Sequence, residues 1–144
     1  MIRYVTPAIV LVLCTSIDAA PALKDRKDDD KVRIIGQWRI DALCMRGGRM
    51  DTERMGSFRF GSDGTCGITH NAGKENPALY TLDPSTNPRK MKWLNGAQKT
   101  EWVCLYELDG DKLKVAFVDQ GTEAPNKIEP APNLTIYYLK RSKD

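Results

Sequence analysis

The sequence predicts an all-β fold, a small antiparallel up-and-down barrel of eight strands. Three observations carry that expectation. From Ile35 onward, short apolar-alternating runs are separated by turn residues, the spacing of a sandwich or barrel. Eight such runs occur, at 36–44, 57–61, 65–70, 78–82, 91–95, 101–108, 112–118 and 134–140. Outside the N-terminal segment, no stretch keeps an apolar period of 3.6 over ten or more residues, so helices are minor.

Two hairpins can be read in detail. Between Phe60 and Cys66, a three-residue loop of Ser62, Asp63 and Gly64, with Gly64 left-handed, sets Phe60 opposite Cys66 and Phe58 opposite Ile68. A one-residue slip would turn this apolar set outward. In the later hairpin, any even-length loop joins the face of Trp102, Cys104, Tyr106 and Leu108 to that of Leu113, Val115 and Phe117. A two-residue turn at Asp109 and Gly110 is the simplest such loop. Lys112 and Lys114 then point to water, a core-in, charge-out pattern.

The 144 residues suit one domain, and a 41% apolar content suits a globular one. A net charge of +3, scattered along the chain, gives no nucleic-acid footprint. The N-terminus differs from the rest. Arg3 precedes the apolar run 5–13, followed by Cys14, Thr15 and Ser16 and then Ala19, Ala20, Pro21 and Ala22. These are the charged, apolar and small-residue parts of a secretory signal, with cleavage placed near Ala20 to Ala22. The apolar run is about half the ~20 residues that a spanning helix needs, so no permanent membrane span is expected. Lipid attachment at Cys14 is a minor alternative, because Leu13 is a poor residue before a lipidated cysteine. The mixed-charge stretch 24–31 has no apolar residue and reads as a solvated tether. The division is a signal peptide at 1–22, a charged disordered linker at 23–33 and a barrel domain at 34–144.

Gly36, Gln37 and Trp38 at the head of the first run match the Gly-x-Trp opening of lipocalin-like barrels. The segments 80–88 and 106–113 and the closing Tyr138, Leu139, Lys140 and Arg141 occur in the order of an uncharacterised lipocalin-like domain family abundant in planctomycete bacteria. The chain resembles that family over nearly all of 36–141. The resemblance implies a lipocalin-like barrel and an exported bacterial protein, periplasmic or extracellular, but no activity. The family pattern carries an Arg-Pro pair after its seventh strand. Here Ala124 and Pro125 stand there, so that arginine's role does not transfer.

On such a barrel Trp38 lies at the closed end, where it is either a simple core residue or one whose face Arg141 can cover in a cation–π contact worth about 1 kcal/mol. Gly36, Trp38 and Arg141 at this end, with the turn glycines Gly64 and Gly110, are the structural set. The long connections 45–55, 71–76, 96–100 and 119–133 gather at the other end, the mouth. Binding sites favour long loops on rigid scaffolds. An eight-stranded barrel either fills with side chains or holds one small ligand. Its short strands favour a mostly filled barrel with a shallow mouth.

Tyr80, Trp93, Trp102, Tyr106 and Phe117 are the candidate pocket lining, with Arg46 and His70 at the mouth. A filled core is the competing reading of the aromatics. Arg46, Arg49 and Arg54, with Asp51 and Glu53 among them, suit either an anionic ligand or a solvated loop. Three cysteines remain after signal removal. An exported protein invites a disulfide, but Cys44 falls near the mouth, Cys66 near the closed end and Cys104 mid-strand. They are expected as core thiols, since a bridge needs Cα atoms within ~7 Å.

One histidine and no Cys-x-x-Cys pair give no metal site, and no cofactor or catalytic motif is present. A Cys44–His70 nucleophilic pair would need a third, orienting group. The function expected is therefore a non-enzymatic module binding a small apolar or anionic ligand. The alternative is a protein-interaction or envelope-structural domain with a filled barrel and an envelope-protein partner.

Overall fold

The computed structural model describes residues 24–51, 56–71 and 73–143, with no side chains described for 24–28 and 51. The expected signal segment and Cys14 lie outside these residues, as do 52–55 of the first expected mouth loop.

The chain folds as α1 (Lys24–Arg33), β1 (Gly36–Met45), β2 (Gly48–Asp51), β3 (Ser57–Phe60), β4 (Thr65–Thr69), β5 (Asn76–Asp83), β6 (Arg89–Asn95), β7 (Glu101–Asp109), β8 (Lys112–Val118) and β9 (Leu134–Arg141). The strands form one antiparallel sheet, and pairing of β1 with β9 closes eight of them into a barrel with β2 as an extra strand. The eight expected runs are all strands, each ending within one or two residues of its expected limits.

Register follows the apolar pattern. Phe60 faces Cys66 and Phe58 faces Ile68 across a loop in which Gly64 has φ 82°. That conformation is nearly free only to glycine. The β7–β8 turn falls one residue later than expected. Leu108 faces Leu113 and Asp109 faces Lys112, so Gly110 (φ 55°) and Asp111 form the turn. A positive φ at its first position alone is the type II′ geometry. The two apolar faces still meet as expected, because this loop also has an even length.

A register shift between Ile40 and Ala42 divides β1. Such a bulge re-aims the residues beyond it. Trp38 and Ile40 belong to the barrel core, whereas Cys44 belongs to a cluster on the outer wall. Leu43, one residue before Cys44, pairs with Tyr137, whose side chain packs on the inner core. The first half of β1 pairs with β3 and the second half with β2, so the β1–β2 hairpin extends the wall at the mouth.

Two expectations are corrected. The stretch 24–33 is not extended tether but the helix α1. Its sequence has no apolar face, and its order comes from tertiary contacts at its C-terminal end. Asp30 is 1% exposed, and its Oδ2 accepts hydrogen bonds from Tyr106 Oη at 2.9 Å and Arg89 Nη1 at 2.8 Å. Ile34 just beyond the helix is fully buried in the barrel core. The folded unit therefore begins before residue 34.

Loop 119–133 is the second correction. Its ends meet at the mouth, where Asp119 N–H donates to the Asn133 carbonyl at 3.0 Å. Between them the chain runs down the outside of the barrel as a strap. Ile128 is 8% exposed and buried among Leu105, Ala116, Ile136 and Cys44. The reason is that this outer wall is itself apolar and needs cover.

Candidate functional site

The barrel interior is filled with aromatic rings. Trp93 stands edge-on to Phe58, Phe60 and Phe117, with ring centroids 5.8, 6.2 and 5.5 Å apart. Tyr137 meets Phe58 at 5.0 Å and Phe117 at 5.8 Å. Edge-to-face pairs add about 0.5–1.5 kcal/mol each beyond burial. Two of the five candidate lining aromatics, Trp93 and Tyr106, are placed as buried core, and Tyr80 is half-buried against it. Trp93 is 4% exposed, and Tyr106 is fully buried with its hydroxyl on Asp30. Tyr80 packs on Phe60 and donates its hydroxyl to the Gly61 carbonyl at 2.8 Å. Burial raises both phenols above their ordinary pKa, and for Tyr106 the carboxylate of Asp30 adds to the rise.

The other two, Trp102 and Phe117, are half-buried and lie toward the mouth. There they join Leu43, at the end of the first expected run, and two residues the sequence reading left in a loop, Met45 and Met50. Leu43 pairs with Met50 on one side and Tyr137 on the other, and Met45 pairs with Thr135. Paired residues share a face. Met45, Leu43 and Met50 therefore continue the inner wall of Tyr137, Phe117 and Trp102 past the closed barrel. Met45 is 46% and Met50 47% exposed. The result is a shallow apolar surface at the mouth, walled on one side by the β1–β2 hairpin. Arg46 (φ 49°) and Gly47 (φ 84°) form the hairpin turn. The sequence held the signal for it: a turn pair with apolar Leu43, Met45 and Met50 around it. Arg46 is exposed at the hairpin tip, and His70 is exposed just beyond β4.

At the closed end, the guanidinium of Arg141 lies 4.2 Å from the centre of the Trp38 ring. Arg141 also donates to the Ile35 carbonyl at 3.0 Å and to the Arg33 carbonyl, while Trp38 Nε1 donates to the Ile34 carbonyl at 2.8 Å. The expected Trp38–Arg141 contact is thus present, with a role not foreseen: both side chains satisfy carbonyls at the end of α1. Asp30 and Arg89 were not singled out, because a carboxylate in a charged run carries no sequence sign of burial.

A second concavity lies outside the barrel. Residues 87–89, 106–109, 114 and 126–129 enclose a cleft of about 820 Å³ between the strap and the closed-end rim. Arg89 lines it, and on its wall Lys114 Nζ meets Glu107 Oε2 at 2.9 Å.

Cys44, Cys66 and Cys104 are buried free thiols. Cys66 and Cys104 sit in the barrel core and Cys44 under the strap. Burial pushes the Cys66 thiol up to about 12 and that of Cys104 higher still. Groups so protonated are poor nucleophiles. Cys44 is buried on the outer wall among apolar residues, and His70 is exposed just beyond β4. Among the described residues, no group of three or more His, Cys, Asp or Glu is placed to hold a metal, and no helix is long and apolar enough to cross a membrane. No family model, curated protein or solved structure matches the chain.

Proposed function

We propose that this chain is an exported, non-enzymatic binding module that holds a small apolar ligand at the mouth of its barrel. The observation that carries the reading is the apolar wall at the mouth, in which buried Leu43 and half-buried Tyr137, Phe117 and Trp102 lead out to Met45 and Met50, each nearly half exposed. The lumen below is occupied by packed rings, so the ligand sits on the barrel and not in it. Methionines suit this use, because their flexible, polarizable side chains adapt to differing ligand shapes. The closed antiparallel meander, with Arg141 over Trp38 at one end, supports the lipocalin-like resemblance. Export is supported by the signal-like segment 1–22.

The test is a titration with the neutral apolar dye N-phenyl-1-naphthylamine. Saturable dye emission with quenching of Trp102 is expected. Met45→Lys and Met50→Lys on the exposed hairpin are expected to weaken binding at least tenfold at unchanged thermal stability. Absence of saturable binding, or binding indifferent to both substitutions, overturns the reading. The envelope-structural alternative, a filled barrel with no ligand site, predicts the first of these results.

A further inference from the structure

We propose that the outer cleft between the strap and the closed-end rim is a second, separate binding site. Its ligand is a small zwitterion, an amino acid or short peptide with a free carboxylate and a free ammonium group. The cleft's volume of about 820 Å³ lies in the range of small-molecule sites. Its charges balance, yet they are not all spent on one another. Lys114 and Glu107 pair at 2.9 Å. Lys127, Asp109 and Glu129 line the same cavity with no ion pair to one another, as does Arg89, whose ion-pair partner is the buried Asp30.

Arg89 is the fixed point. Asp30, 1% exposed, grips its Nη1 at 2.8 Å, while the Arg89 side chain is 35% exposed. No other partner of the guanidinium occurs among the described residues. A guanidinium oriented by a buried carboxylate, with donors to spare, is prepared to take a second carboxylate. Nothing has to be reorganised when that ligand arrives. A lone anion would meet Asp109 and Glu129, and a lone cation would meet Arg89 and Lys127. Only a ligand carrying both charges is complementary to the whole cleft. The carboxylate is assigned to Arg89 and Lys127 and the ammonium to Asp109 and Glu129.

Ligand-observed NMR titration of the full chain with three matched probes tests this. The probes are L-alanyl-L-alanine, its N-acetyl derivative and its C-terminal amide. The unblocked dipeptide is expected to bind at least tenfold more tightly than either blocked form. Arg89 also anchors α1, so Arg89→Gln risks unfolding that end. The exposed variants Glu129→Gln and Lys127→Gln keep the test clean. Glu129→Gln is expected to erase at least half of the preference, in logarithmic terms, over the N-acetyl form. Lys127→Gln is expected to do the same over the amide. Equal affinity for all three probes, no saturable binding of the dipeptide, or indifference to both variants overturns the proposal. None of these outcomes bears on the mouth, which none of these substitutions touches.

Discussion

Arg141 does three jobs with one side chain. It covers the Trp38 ring at 4.2 Å, donates to two carbonyls at the end of α1, and meets Asp111 at 3.4 Å. A planar guanidinium fork can serve two acceptors and a ring face together, and an ammonium cannot. Arg141→Lys keeps the charge yet leaves a carbonyl without its donor. It is expected to cost about 1–3 kcal/mol. Trp38→Ala removes a fully buried ring and the donor to Ile34, and is expected to cost about 3–5 kcal/mol. Urea unfolding measures both. A loss within about 0.5 kcal/mol, the range of ordinary surface changes, would show that the closed end is not sealed by this pair. The Trp38–Arg141 contact was legible because each residue opens or closes a strand, and a closed meander brings its first and last strands together. The carbonyl contacts were not legible, since they depend on a helix whose sequence hides it.

At the scale of elements, legibility followed periodicity. Every strand with alternating apolar residues was read, and so was the register of β3–β4, because a slip there would expose Phe58 and Phe60. The strand β2 was missed because it is four residues long and keeps one exposed apolar residue, Met50. The helix α1 was missed because its order is tertiary, with Asp30 as the anchoring residue. Asp30→Ala strands the Arg89 guanidinium and the Tyr106 hydroxyl. Losing one partner of a buried pair costs about 3–5 kcal/mol, and the lower end applies here because Arg89 keeps access to water. Asp30→Asn, which still offers Tyr106 an acceptor, is expected to cost less. Denaturant unfolding gives both values, and hydrogen exchange at 29–34 shows whether the helix end frays with them. A neutral Asp30→Ala would mean that α1 is held by Ile34 alone. The strap was read as a mouth loop because its ends lie there. Only the apolar outer wall under Ile128 decides where its middle goes.

For the whole molecule, the filled interior makes a pH prediction. The candidate aromatics were legible as an inward-facing set in a mostly filled barrel, but which rings meet edge to face was not. That depends on ring geometry in three dimensions. Because packed side chains fill the lumen, the thiols and phenols in and around it are held neutral. Burial raises the thiols of Cys66 and Cys104 and the phenols of Tyr80, Tyr106 and Tyr137. Each is an acid whose folded pKa lies above its unfolded one. Between those two values the unfolded chain has released protons that the folded barrel keeps. Stability is therefore fully present below the unfolded pKa and is lost as pH rises toward the folded one. For Cys66 the window runs from about 9 to about 12. The tyrosines start from 10, so their losses add above that pH. Urea unfolding at a series of pH values is expected to give a plateau near neutrality and a steepening fall above pH 9. Cys66→Ala should lower the plateau through its cavity, yet flatten the first part of the fall. A wild-type curve level to pH 11 would mean that water reaches these groups in the folded state. The barrel would then hold a solvated lumen, and the binding site would belong inside it and not at its mouth.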